Sequence, residues 1–423
     1  MKRALAVAPL VAALVASCTA NAPGAHVRLR VTPTRAVVDR PVRVTVTGLR
    51  PGERATLNAS AVDAEQTTWR SSETFVASSA GIIDTRQAPL SGSYTGVDPM
   101  GFFDRMKPVG GGLSDTLFFA DNAQYDVSLS VTVARHVVAR ADIQRLSPGL
   151  LGGRYIPLRP KKDGVYADLY LPAESGKKHP AVLLFGGSEG GDFAFHQAQI
   201  VAGEGYPAMS LAYFQEPGLP KTLDNIPLEY FVRALRILRS QDGVDPRRIV
   251  VWGVSRGSEA ALLLGAHFPN LVDGVIAGVP SSVVNVGNPP GSAAWTLGGR
   301  PLAHASALQF GDPSADNAPG AIPVEHIRGP VLLICGGEDY VWPSCRYSNL
   351  IVQRMRQHHR GDQVSELAYP TAGHAVGDVL PYIPDVSTEP SSPLTSDGGT
   401  TEGNILGRID AWHHILMMLA SLR

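Results

Sequence analysis

The chain has 423 residues, 44% of them hydrophobic and 18% charged, with 37 Lys+Arg against 38 Asp+Glu and a formal net charge of -1. This length predicts two domains, each with enough apolar sequence to bury a core. The balanced, dispersed charge excludes nucleic acid and anionic membrane surfaces as electrostatic partners, and three cysteines are too few for a disulfide scaffold.

In chain order, Lys2 and Arg3 precede an apolar run over residues 4–16, long enough for the hydrophobic region of an export signal and short for a bilayer span. The run ends in Val15-Ala16-Ser17-Cys18, which resembles a bacterial lipobox, with Cys18 lipidated as the mature N-terminus. Plain secretion with cleavage near Ala20 or Ala22 is the alternative. Residues 1–25 are therefore read as a signal peptide, the protein as exported to the cell envelope or secreted, and Cys18 as its one route to a membrane. With Cys18 so used, Cys335 and Cys345 remain, and pairing across one short loop or free buried thiols are equal alternatives.

Residues 26–145 carry short alternating apolar runs, such as Val27-Arg28-Leu29-Arg30-Val31 and Tyr125-Asp126-Val127-Ser128-Leu129, separated by turn residues such as Pro51-Gly52. Period two predicts half-buried antiparallel strands and a small β-sandwich. Gly110-Gly111-Gly112 reads as a flexible loop, since no helix or Lys-Ser/Thr follows it as a phosphate cradle requires.

Over residues 146–423 wholly apolar strands alternate with helical patterns, the signature of a mostly parallel sheet with helices on both faces. Strands are expected at 165–170, 181–185, 206–211, 248–252, 274–278, 331–335 and 366–369, and helices at 196–203, 228–239, 255–267, 345–357 and 408–422. The Gly-, Pro- and Ser-rich stretch over residues 286–322 interrupts this rhythm and reads as an insertion forming a lid or pocket wall.

Two stretches match G-x-S-x-G: Gly186-Gly187-Ser188-Glu189-Gly190 and Gly253-Val254-Ser255-Arg256-Gly257. The second joins a buried strand to an apolar helix, the strand-turn-helix that exposes a nucleophilic serine, so Ser255 is the expected nucleophile. The first suits a loop whose backbone N–H groups approach an oxyanion, with Ser188 or Gly187 as donor alongside Arg256. A serine hydroxyl needs a base, and the base needs a carboxylate. Asp339 leaves the end of one strand and His374 follows another, both on the side of the sheet where parallel strands place ligands. Glu338 is the competing acid and reads as a solvated loop charge, while Asp378 and Asp385 follow His374, against the order Ser, acid, His. His358 and His359 read as surface residues, and His196 as structural or pocket-lining. No His, Cys or Asp cluster has metal-ligand spacing, so neither metal nor cofactor is called for.

Taken together, these residues resemble the acyl-CoA thioesterases related to bile acid-CoA:amino acid N-acyltransferase. The resemblance is carried by Gly92-Ser93-Tyr94-Thr95-Gly96-Val97-Asp98-Pro99-Met100-Gly101 in the N-terminal part and by Ser255 at the nucleophile position. It extends to Asp339 within Gly336 to Ser344, His374 in a Y-P-x-x-G-H stretch, and the closing Gly398-Gly399-Thr400 with Asp410-Ala411-Trp412. It implies an immunoglobulin-like domain before an α/β-hydrolase domain and packed beside the insertion, the Ser255, Asp339 and His374 triad, and hydrolysis of a small-molecule acyl thioester. Two departures stand out: the conjugating members use Cys where this chain has Ser255, which points to water as acceptor, and the family's thioesterases act inside cells. An exported carboxylesterase with the same triad, an acyltransferase and a non-catalytic envelope lipoprotein are the rival readings.

Overall fold

The computed structural model describes residues 26–110, 116–118, 124–146, 153–173, 176–305, 319–386 and 397–422. Residues 1–25, where a signal peptide and Cys18 as its lipidation site are expected, lie outside the described residues, as do Gly111, Gly112 and residues 306–318 of the insertion.

Strict alternation builds the N-terminal domain. Arg54–Val62 and Thr68–Val76 point every second residue inward, and they pair along their whole length in an antiparallel ladder. They belong to a six-stranded sheet with Gln124–Val133 and His136–Leu146, which packs on a three-stranded sheet of Arg28–Thr32, Arg43–Thr47 and Ile83–Asp84. Trp69, Phe75, Phe102, Phe103, Val127 and Val131 fill the space between the sheets. The expected sandwich is therefore present, and its last strand ends at Leu146, one residue past the expected boundary.

The second domain is an eight-stranded sheet in the order Arg154–Leu158, Tyr166–Leu171, Ala208–Ala212, His179–Phe185, Val244–Val254, Gly274–Gly278, Val331–Gly336 and Val364–Tyr369. The last six strands run parallel, and the first two are antiparallel. Two apolar layers cover the sheet. On one face pack Leu228–Arg239, Arg256–His267 and Ser344–Gln357, and on the other Phe195–Gly203 and Thr401–Ser421. This is the α/β-hydrolase architecture. The edge strand Arg154–Leu158 is absent from the expected set, because it is mostly exposed and lacks the apolar run that marks its neighbours. The last helix begins at Thr401 rather than 408, where the Thr400 hydroxyl caps the Gly403 N–H at 2.9 Å.

Among the described residues, contacts joining the two domains run through the chain beyond His374 and through an ion pair of Arg40 with Glu204. Leu380, Tyr382 and Ile383 pack into the sandwich core, and Asp385–Val386 pairs with Thr116–Leu117. Arg408 of the last helix holds Asp385 in a buried ion pair at 2.8 Å. The insertion instead joins the hydrolase core: Trp295 is fully buried against Tyr213 and Phe231. The described part of it is a fixed wall rather than a free lid.

Candidate active site

Ser255 sits between the strand Val244–Val254 and the helix Arg256–His267 with φ 54 and ψ -122. An L-residue adopts this left-handed conformation only when its surroundings impose it. Here the surroundings are glycines. A Cβ on Gly253 would lie 2.1 Å from the Gly257 carbonyl oxygen, and one on Gly257 would lie 2.2 Å from that of Gly186. Strand, turn and helix approach so closely that no side chain fits at either position.

The three residues of the expected triad come together from three separate strand ends. Nε2 of His374 is 2.9 Å from Oγ of Ser255, and Nδ1 is 2.9 and 3.0 Å from the two carboxylate oxygens of Asp339. The Asp339 side chain is fully buried, and its Oδ1 also accepts from the backbone N–H groups of Val341 and Trp342. Trp342 places its ring edge-on to the imidazole at 5.6 Å and donates its indole N–H to the Val279 carbonyl. The His374 loop is fixed from behind by its own N–H to the Asp397 carbonyl at 2.7 Å and by Gly373 N–H to Asn404 at 2.8 Å. Burial draws the His374 pKa down, but the Asp339 carboxylate outweighs it and raises the imidazole to about 9. Ser255 can thus pass a proton to a base that Asp339 keeps in one tautomer.

Gly187 meets this group, since a Cβ built on it would lie 2.7 Å from Cβ of Ser255. Arg256 supplies the first backbone N–H of its helix, where no intrahelical acceptor exists. Both residues thus adjoin Ser255. Ser188 is exposed on the same loop. The Gly187 N–H is not vacant, however: Oε1 of Glu189 accepts from it at 2.5 Å.

Cys335 and Cys345 are bonded to each other, closing the loop that carries Asp339. Glu338, His358 and His359 are exposed, as expected of solvated charges. His196 stacks on Phe195 with ring centroids 3.9 Å apart. Asp385 belongs to the Arg408 pair, and Asp378 lies close enough to His374 to interact with its charge, its own carboxyl pushed up to about 7 by burial and by the Glu189 charge.

Two supports escaped sequence reasoning. Arg256 pairs with Glu259 at 2.9 Å, and Glu259 accepts from Asn285 at 2.8 Å and from the Trp295 indole at 2.9 Å, all buried. This network ties the helix behind Ser255 to the insertion. Its signal was readable as two opposite charges three residues apart at the start of an otherwise apolar helix. Tyr213 is the second: its hydroxyl lies 2.9 Å from the Gly186 carbonyl and 2.6 Å from that of Gly187. A lone tyrosine after a strand carries no such signal.

Known proteins share this organisation. Residues 39–150 match the family model described as acyl-CoA thioester hydrolase/BAAT N-terminal region, and residues 226–290 and 304–421 match that described as BAAT / acyl-CoA thioester hydrolase C terminal. The chain is 30% identical over 408 residues to the mitochondrial acyl-coenzyme A thioesterase 2 of Rattus norvegicus, covering 90% of this chain and 86% of that protein. It is 29% identical over 406 residues to acyl-coenzyme A thioesterase 1 of Homo sapiens, covering 89% and 92%. Among solved structures, esterase B from Lactobacillus rhamnosis is similar with a TM-score of 0.40 at 15% identity, covering 64% of this chain and 86% of that one. The chain belongs to the acyl-CoA thioester hydrolase/BAAT family and is a hydrolase.

Proposed function

We propose that this protein hydrolyses acyl thioesters of the acyl-CoA class, with Ser255 as nucleophile, His374 as general base and acid, and Asp339 as the group that orients and charges the imidazole. The observation that carries this reading is the unbroken path from Oγ of Ser255 through His374 to Asp339, with 2.9 Å at each step. Oγ attacks the acyl carbonyl while its proton passes to Nε2, and the carbonyl oxygen becomes an oxyanion facing the N–H groups of Arg256 and of Gly187 or Ser188. Collapse breaks the carbon–sulfur bond, and His374 returns the proton to the thiolate. Water then attacks the acyl-Ser255 ester with His374 again as base, releasing the carboxylic acid.

Export, with Cys18 as a lipid anchor, belongs to the same proposal. The Cys335–Cys345 bond supports it, because disulfides persist in oxidising compartments. Export also favours one second reading, an esterase for oxygen esters, since acyl-CoA is scarce outside the cytoplasm. The test is to incubate the chain lacking residues 1–18 with acyl-CoAs and matched simple esters of several lengths, following free thiol and acid. A thioester preference that vanishes in Ser255→Ala supports the proposal. A preference for oxygen esters replaces it with the second reading.

A further inference from the structure

We propose that the Glu189 carboxylate occupies the oxyanion-binding position of the free enzyme, so that an acyl carbonyl gains its activating hydrogen bond only by displacing this side chain. The inference deepens the reading of Ser255 as nucleophile and rests on it.

Gly187 lies against Ser255, where a Cβ built on it would meet that of Ser255 at 2.7 Å, and its N–H is the proposed oxyanion donor on that side of the site. Oε1 of Glu189 already accepts from this N–H at 2.5 Å. The contact is built into the loop: a Cβ on Gly186 would lie 2.0 Å from Oε1, and one on Gly187 would lie 3.0 Å from Oε2. The carboxylate therefore rests on bare backbone that any other residue at position 186 would cover. Chemically it is a close mimic of what the reaction brings there, an anionic oxygen accepting from a backbone N–H.

A carboxylate in this place could equally hold the loop in shape, but the loop has other anchors. Tyr213, packed between Phe185 and Trp295, hydrogen-bonds the carbonyl side of the Gly186 and Gly187 peptides. Gly191 N–H donates to the Phe214 carbonyl at 3.1 Å, and Gly257 packs directly on Gly186. These contacts keep the Gly187 N–H aimed at the site when Glu189 leaves. The Glu189 residue is exposed while its carboxylate is desolvated at the site, burial pushing its pKa up, so leaving the Gly187 N–H returns the carboxylate to water. Its occupancy weakens ground-state capture of any acyl group and favours substrates whose remaining contacts can drive it out.

The experiment measures covalent capture of Ser255 by a fluorophosphonate, whose phosphoryl oxygen must enter the same position, in the full chain and in Glu189→Ala, Glu189→Gln and Ser255→Ala. Capture should run about tenfold faster in Glu189→Ala, as expected for release of one charge-assisted hydrogen bond, with a smaller gain in Glu189→Gln, whose neutral oxygen is the weaker competitor. The inhibition constant of a trifluoromethyl ketone should fall by the same factor, a readout that loss of a purely structural contact would not produce. Capture at or below the wild-type rate in both variants, with Ser255 still the labelled residue, overturns the proposal and makes Glu189 a support for the loop. Capture that persists in Ser255→Ala removes the nucleophile assignment and this inference with it.

Discussion

The loops Gly186–Gly190 and Gly253–Gly257 carry the same pattern of glycines around a serine and leave neighbouring parallel strands, with Leu184 beside Trp252 and Phe185 beside Gly253. Their fates differ because the chain beyond each serine differs. After Ser255 a helix begins at once, so the serine is forced into a left-handed turn beneath His374. After Ser188 the chain runs on to Phe195 before a helix starts, and the serine stays at the surface. One loop thus presents a side chain and the other a backbone, and the glycines of each make room for the other. A G-x-S-x-G match becomes a nucleophile through the helix behind it rather than through its own residues.

The comparison breaks most sharply at Ser255. Ser255→Ala should lower turnover by about 10⁶-fold, the scale seen when one member of a triad that acts as a unit is removed. Steady-state hydrolysis of the preferred acyl ester measures this, and a variant keeping a tenth of its activity would refute the assignment of roles.

Asp339→Asn should cost about 10⁴-fold in kcat, because the amide can no longer hold His374 in the tautomer that accepts from Ser255. The pH profile sharpens this result. With the imidazole raised to about 9 from 6.5, chiefly because Asp339 outweighs burial, kcat/KM should climb through neutrality, reach its midpoint near pH 9 and level off above it as the neutral base forms. In Asp339→Asn the largest raising influence is lost while Asp397 and Asp378 still oppose burial, so the midpoint should fall well below 9. Stability runs the other way. The contribution of the charged pair is full below pH 6.5 and is lost as pH rises through about 9, which thermal unfolding across that range would register.

On the backbone side, Gly187→Ala puts a methyl 2.7 Å from Cβ of Ser255. The loop must shift, and loss of one oxyanion donor should lower kcat by about 10² to 10³-fold. Thermal unfolding run alongside separates this from a general loss of fold. A kcat within a factor of two of wild type would move the donor to Ser188.

Much of the fold and site is legible in the residues alone. Buried parallel strands announce themselves as unbroken apolar runs, and Ser255 and Asp339 each leave such a strand, while His374 follows the mixed, half-exposed edge strand Val364–Tyr369, completing the order Ser, acid, His. The remainder depends on contacts distant in sequence. The antiparallel edge strand Arg154–Leu158 is solvated and carries no apolar run. Tyr213 and the Glu259 contacts with Asn285 and Trp295 act through partners up to 36 residues away, which no local spacing reveals, although the Arg256–Glu259 pair itself shows as opposite charges three residues apart. The docking of Leu380 and Ile383 into the sandwich is hidden for the same reason: two apolar residues past the histidine loop look like any short core segment.

The smallest expected effect tests the other half of the comparison. Ser188→Ala removes a hydroxyl from an exposed loop and leaves its backbone N–H intact, so turnover should stay within about twofold and stability within about 0.5 kcal/mol. Ser188→Pro removes that N–H and should cost activity only if the donor is Ser188 rather than Gly187. Tyr213 holds both peptides of the loop through the carbonyls of Gly186 and Gly187 and so does not choose between the two donors, whereas the close approach of Gly187 to Ser255 favours a small effect for Ser188→Ala and a large one for Gly187→Ala. Kinetics of Gly187→Ala and Ser188→Pro side by side decide which peptide of the loop faces the oxyanion, and a larger loss in Ser188→Pro would exchange the roles of neighbouring residues without disturbing those of the two loops.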